Sequence, residues 1–106
     1  MSRADAAWLT DVLASIEAIT GYLAAGSLDE GVVYDACRAR LIEIGEATKH
    51  LSSELTDQEP DIPWREIARM RDQLAHRYFD TDRAIVAEAV TERLPALREA
   101  VERLIG

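Results

Sequence analysis

Residues 37–51, Cys-Arg-Ala-Arg-Leu-Ile-Glu-Ile-Gly-Glu-Ala-Thr-Lys-His-Leu, hold the pattern that decides the fold. Apolar or small side chains recur there at steps of three or four residues, which predicts an amphipathic helix. These side chains are Cys37, Leu41, Ile44, Thr48 and Leu51. Gly45 lies among them and lowers helix propensity by about 1 kcal/mol relative to alanine. We therefore expect another backbone, or a docked ligand, to come close to the helix at Gly45.

The chain before this helix predicts one more helix of the same kind. Apolar side chains in residues 4–25 form a single stripe, and Gly26 ends the helix. Ser27–Glu30 matches a capping box, which places the start of the second helix near Asp29. The pattern continues that second helix to about Ser53.

The chain after it predicts two further helices. Pro63 suits the first position of a third helix, which we expect to end near Tyr78–Phe79. Asp80–Asp82 supplies caps for the last helix, in which Pro95 predicts a kink or a break. Residues 1–106 are thus predicted to be a single all-α domain, an up-and-down bundle of four to five helices that pairs with a second copy through helices.

The net charge, the cysteine count and the lengths of the apolar runs argue against several classes of function. The net charge of -8 argues against a general nucleic-acid binder, although residues 61–83 hold five arginines and five acids and are locally neutral. One cysteine, Cys37, excludes an internal disulfide and a cysteine-based zinc site. No apolar run reaches the roughly 20 residues that a membrane span needs. We expect a soluble, cytoplasmic protein without a cofactor.

Residues 71–78, Arg-Asp-Gln-Leu-Ala-His-Arg-Tyr, concentrate groups suited to chemistry. Asp72 and His76 are four residues apart, so the carboxylate can fix the imidazole tautomer. Arg71 and His76 lie roughly 140° apart on a helical wheel, so one helix cannot easily aim both at one target. A composite site between two protomers is the geometric expectation. Fraying of the helix near Tyr78 is the alternative, because it reorients His76 within one chain.

These groups suit cleavage of RNA. Histidine can take the proton of a ribose 2′-hydroxyl, and arginine can stabilise charge on the phosphate. The RNA supplies its own nucleophile, so no metal is needed in principle. The implied products are a 2′,3′-cyclic phosphate and a 5′-hydroxyl.

The motif Arg71-x4-His76-x-Tyr78 resembles that of HEPN-domain ribonucleases, and more specifically that of the HepT-like toxins. Residues 41–47 resemble the family's second helix, and residues 62–67 resemble its lead-in to the motif helix. The likeness implies a helical dimer whose Arg and His line a cleft between protomers. It also implies an RNA-cleaving toxin of a toxin–antitoxin pair. The antitoxin of such pairs is a nucleotidyltransferase of the MNT type, which in some pairs adenylylates the tyrosine that maps to Tyr78.

Several assignments keep two interpretations. Asp72 is either the catalytic orienter of His76 or its solvated partner, and Glu46 is either near the cleft or a solvated helix acid. Arg69 and Arg77 either contact the substrate phosphate or belong to a solvated face. The whole chain also has an alternative function: a catalytically inactive helical dimer that serves as binding partner or substrate of a nucleotidyltransferase.

Overall fold

The computed structural model of the chain describes residues 1–76 and 78–106, without the side chain of Phe79. Its helices are α1 (Arg3–Ala25), α2 (Gly31–Lys49), α3 (Ser53–Thr56), α4 (Trp64–Ala75), α5 (Phe79–Glu88) and α6 (Leu94–Ile105), with a π-helical turn, Ala89–Arg93, between α5 and α6. The described residues contain no strand, so the predicted all-α bundle is confirmed. Arg77, one of the candidate substrate contacts, lies outside the described residues.

The bundle is built around α2. Helices α1 and α4 pack along α2 on two sides, and α6 packs on α1. The apolar stripes predicted from the spacing point into one core. Its fully buried members include Leu9, Val12, Leu41, Ile44, Ile67, Leu74, Val86 and Leu97. Cys37 is buried among them, and this burial raises the pKa of its thiol.

Helices α2 and α4 cross at Gly45. A Cβ atom on Gly45 would lie 2.8 Å from the backbone nitrogen of Arg71 and 3.2 Å from the carbonyl oxygen of Ile67. Any side chain there would push the two helices apart. The close backbone approach predicted at Gly45 is therefore confirmed, and α4 is the helix that approaches.

The second helix is shorter than predicted. It ends at Lys49, and Ser52 then caps the separate turn α3 by accepting a hydrogen bond from the Leu55 nitrogen at 3.3 Å. Asp5 of α1 holds this cap, because its carboxylate accepts bonds from the Ser52 nitrogen at 2.9 Å and the Ser52 hydroxyl at 2.6 Å. The Ser52 hydroxyl caps the first turn of α3 and is itself held by Asp5. This capping favours a new helical turn over continuation of α2.

The third helix also stops early. It ends at Ala75, short of the predicted end near Tyr78–Phe79, and Tyr78 stands at the N-cap of α5 without a side-chain cap bond. The prediction that Asp80–Asp82 caps the last helix was wrong, since α5 already begins at Phe79. The predicted break near Pro95 is confirmed, because the π-helical turn precedes it and Pro95 lies in the first turn of α6.

Candidate active site

The crossing at Gly45 brings the next residue of α2, Glu46, against Arg71 of α4. Oε2 of Glu46 lies 3.1 Å from Nε of Arg71. Both side chains remain about half exposed, so the contact sits at the edge of the helix pair. Glu46 therefore contacts the motif arginine directly.

Glu46 has a second partner on its own helix. Oε1 of Glu46 lies 3.1 Å from Nε2 of His50, and the ring of Trp8 stacks on the His50 ring with centroids 4.6 Å apart. The hydrogen bond with His50, and then the charge of Arg71, lower the pKa of the Glu46 carboxyl. The spacing of four residues between Glu46 and His50 on one helix is the sequence signal for this contact.

Asp72 also contacts the motif arginine. Its Oδ1 lies 3.1 Å from an Nη atom of Arg71, and its side chain is 70% exposed. Among the described hydrogen bonds, this carboxylate is joined to Arg71 and not to His76. Two carboxylates therefore flank the Arg71 guanidinium within one chain, and one of them, Asp72, is on the solvent side.

His76 and Tyr78 lie in the turn between α4 and α5. His76 is the C-cap that follows α4, and its ring centroid is 6.4 Å from that of Tyr78. Both are exposed, and Tyr78 has 69% of its surface accessible. Because α4 ends before Tyr78, helical spacing does not describe the position of Tyr78 relative to Arg71. The turn instead presents the imidazole and the phenol together at the surface.

Comparison with known proteins identifies the family. A sequence profile described as "Ribonuclease HepT-like" matches residues 9–104. The chain belongs to the HepT-like ribonuclease family. The motif residues Arg71, His76 and Tyr78 all lie inside the matched range.

Relatives of this HepT-like chain support the assignment. It is 35% identical to the "Probable ribonuclease HepT" of Thermococcus cleftensis over 98% of each chain. It is 30% identical to a "Putative RNase" of Methanocaldococcus jannaschii, covering 93% of this chain and 89% of that protein. A third relative from the same organism, "Gamma-glutamylcyclotransferase and putative RNase", is 34% identical over 92% of this chain but only 46% of its own length. No solved structure matches the chain significantly.

Arg69 points away from Arg71 in the HepT-like chain. With Gln73, one helical turn further on, it lines a cavity of about 150 Å³ between α4 and α5. Arg93 of the π-helical turn reaches the same cavity. Glu66 and Glu88 also line it, so its charges are balanced. Arg69 therefore lies on a different side of α4 from the Glu46–Arg71 ion pair.

Two residues near the turn form an ion pair that the helix patterns do not predict. Arg38 of α2 lies 3.4 Å from Asp82 of α5, and both side chains are largely buried. The sequence pattern predicts Asp82 only as part of a helix cap. The available signal was Arg38 itself, because it lies between the buried Tyr34 and Leu41 on one helix face. An arginine in such a stripe indicates a buried ionic partner.

The described residues contain neither a group of metal-ligating side chains nor a candidate membrane-spanning helix. No three His, Cys, Asp or Glu side chains converge on a metal-sized point in the part of the chain that is described. Within the same part, every helix is too short or too polar to traverse a lipid bilayer.

Proposed function

We propose that this HepT-like chain is a metal-independent endoribonuclease, the toxin of a toxin–antitoxin pair, which acts as a cytoplasmic homodimer. The observation that carries the proposal is the position of the motif. Arg71, His76 and Tyr78 lie at the exposed C-terminal end of α4, where a nucleic-acid strand has access. The family membership supplies the substrate class, RNA.

A dimer explains an otherwise awkward geometry. Arg71 forms an ion pair with Glu46 of α2, whereas His76 lies beyond the end of α4 beside Tyr78. Joining two copies through a twofold axis near the end of α4 places the arginine of one protomer opposite the histidine of the other. Each of the two equivalent pockets formed in this way then holds one phosphodiester.

The reaction follows from these groups. His76 accepts the proton of the ribose 2′-hydroxyl, whose oxygen attacks the adjacent phosphorus. Arg71 stabilises the negative charge that builds on the non-bridging oxygens. The bond to the 5′ oxygen breaks, and that oxygen takes up a proton from water. The products are a 2′,3′-cyclic phosphate and a 5′-hydroxyl. Asp72, expected from the sequence to orient His76, contacts Arg71 and helps to hold its guanidinium.

The test is cleavage of a labelled RNA by the pure protein in EDTA. We expect the wild type to cut, and His76→Ala and Arg71→Ala to lose at least about a hundredfold in rate, the range expected for a general acid or base or a charge-stabilising donor. Arg98→Ala serves as the matched control, since Arg98 pairs with Glu17 and Glu102 on the α1–α6 side. Equal cutting by all four proteins would assign the activity to a contaminant.

The proposed antitoxin is a nucleotidyltransferase of the MNT type that adenylylates Tyr78. The phenol oxygen attacks the α-phosphorus of ATP, pyrophosphate leaves, and the phenolic proton goes to solvent. The exposure of Tyr78 supports this step, because an enzyme must enclose the acceptor oxygen. AMP on Tyr78 would place a negative charge beside His76 and so repel the substrate phosphate.

A second function has its own support. The net charge is -8, and Glu46 and Asp72 both neutralise Arg71 within one chain. A catalytically inactive helical dimer that serves as partner or substrate of a nucleotidyltransferase fits those facts. Growth arrest on expression of the chain alone, abolished by His76→Ala, would favour the ribonuclease. Absence of arrest would favour the binding partner.

A further inference from the structure

Arg38 contacts both sides of the turn that carries His76 and Tyr78. Its Nη2 donates a hydrogen bond to the carbonyl oxygen of Leu74 in the last turn of α4. Its Nε lies 3.4 Å from Oδ2 of Asp82 in the first turn of α5. One guanidinium therefore joins the end of α4 to the start of α5. We call the Arg38–Asp82 ion pair with the Leu74 hydrogen bond the turn clamp.

The turn clamp is buried. The side chains of Arg38 and Asp82 are only 14% and 3% exposed, and none of the described groups donates a hydrogen bond to Oδ1 of Asp82. Because taking two charges out of water is unfavourable, such a pair is often no more stabilising than apolar side chains of the same volume. The ion pair instead fixes the relative positions of its two side chains, because the planar guanidinium of arginine forms hydrogen bonds only in fixed directions.

Among the described residues, few contacts besides the turn clamp join α2 to α5. The two helices touch over a much shorter length than α2 and α4 do. Beside the turn clamp, the guanidinium of Arg83 lies 5.5 Å from the ring centroid of Tyr34. Asp82 in turn donates its backbone N–H to the carbonyl oxygen of Tyr78 at 2.8 Å. The turn clamp is therefore joined to the backbone of Tyr78 through Asp82.

We propose that Arg38 and Asp82 are positioning residues of this site: the turn clamp fixes the turn between α4 and α5 and so aims His76 at the phosphodiester held by Arg71. The proposal rests on the ribonuclease function proposed above. Neither residue is expected to touch RNA, because both side chains are largely buried. Their effect is on the position of the catalytic imidazole.

The test compares two clamp variants with a matched ion pair elsewhere. Asp82→Asn keeps the shape and removes the charge. Arg38→Lys keeps the charge but cannot reach Leu74 and Asp82 together. The control is Glu59→Gln, which breaks the Glu59–Arg103 bridge, 2.7 Å long and likewise joining distant segments, away from the motif. Each protein is assayed at a temperature at which circular dichroism shows it folded.

Two readouts separate positioning from stability. The first is kcat and KM for RNA, where misplacement of a catalytic group lowers kcat by about tenfold to a hundredfold and leaves KM within about threefold. The second is amide hydrogen exchange of residues 75–82, which we expect to be faster in both clamp variants and unchanged in Glu59→Gln. This exchange needs no substrate.

Each result has a consequence. Lower kcat and faster exchange in Asp82→Asn and Arg38→Lys, with neither change in the control, support the turn clamp. Wild-type kcat in folded Asp82→Asn overturns it. If the wild-type protein does not cleave RNA, the ribonuclease function has failed, and the exchange of residues 75–82 still decides whether the clamp holds the turn: unchanged exchange in both variants overturns the proposal.

Discussion

Gly45 and Arg71 lie in direct contact across the α2–α4 crossing, because a Cβ on Gly45 would come within 2.8 Å of the Arg71 nitrogen and 3.0 Å of its Cβ. Gly45→Ala should therefore destabilise the protein by about 1–3 kcal/mol, the range for overpacking a tight contact. It should also lower RNA cleavage, because α4 must shift with Arg71.

The control for this substitution lies on α1. A Cβ on Gly21 would meet nothing within 4 Å. Gly21→Ala should stabilise the protein by up to about 1 kcal/mol through helix propensity. Urea unfolding of both variants measures the two effects. Equal, small changes for Gly45→Ala and Gly21→Ala would contradict the close crossing.

Glu46 both restrains Arg71 and competes with the phosphate for it. Glu46→Gln should therefore bind RNA more tightly, with a lower KM, yet cut more slowly, with kcat reduced by about threefold to tenfold as the guanidinium loses its fixed position. Stability should barely change, since half-exposed ion pairs contribute little. Steady-state kinetics against Glu43→Gln, an exposed acid on the same helix, provides the comparison. A Glu46→Gln enzyme with unchanged kcat and KM would remove Glu46 from the site.

The periodic stripes sufficed to predict the helices and their core, and Gly45 was rightly expected to mark a close approach. Two helix ends were wrong because tertiary contacts decided them. Asp5 of α1 holds the cap that starts α3, and Arg38 binds the end of α4. Neither contact is local in sequence, so no pattern within one helix reveals it. For the same reason the ion pair of Arg71 with Glu46, which comes from another helix, was not predicted. Asp72 was expected to contact His76, whereas it contacts the adjacent Arg71.

The Asp5–Ser52 contact predicts how stability depends on pH. The hydrogen bonds from the Ser52 hydroxyl and nitrogen lower the pKa of Asp5 in the folded protein. Its contribution to stability is then fully present above the unfolded-state pKa of about 3.9 and is lost as the pH falls through the lower folded value. Asp5→Asn should be less stable than the wild type at pH 7, and the difference should shrink below about pH 4.

Urea unfolding between about pH 2.5 and about pH 7, a range that spans the unfolded-state pKa, measures this difference. Asp11→Asn removes one carboxylate from the exposed side of the same helix and is the matched control. Only Asp5→Asn should show the pH-dependent loss. A constant difference between Asp5→Asn and wild type over the whole range would mean that the Ser52 bonds do not favour the charged carboxylate.

The exposed phenol makes Tyr78 the expected acceptor of AMP. Of the three tyrosines, Tyr78 is 69% exposed, Tyr34 is buried, and Tyr22 is partly buried with its hydroxyl 3.3 Å from Nε of Arg40. After co-expression with a nucleotidyltransferase of the MNT type, intact-mass analysis should show added AMP on the wild type, Tyr22→Phe and Tyr34→Phe, and none on Tyr78→Phe. AMP retained by Tyr78→Phe would place the modification elsewhere.

The proposed dimer makes a prediction that a single-chain site does not. Arg71→Ala and His76→Ala should each be inactive, but after joint unfolding and refolding, mixed dimers pair an intact arginine from one chain with an intact histidine from the other. If the two variants pair at random, about half of the dimers contain one chain of each kind. Each of these mixed dimers has one intact site out of two. About a quarter of the wild-type rate should therefore return. A site within one chain regains nothing, because each chain still lacks one group. Mixing each variant with itself is the control, and failure of the mixture to recover activity, in dimers shown by mass to contain both chains, would rule out the shared pocket.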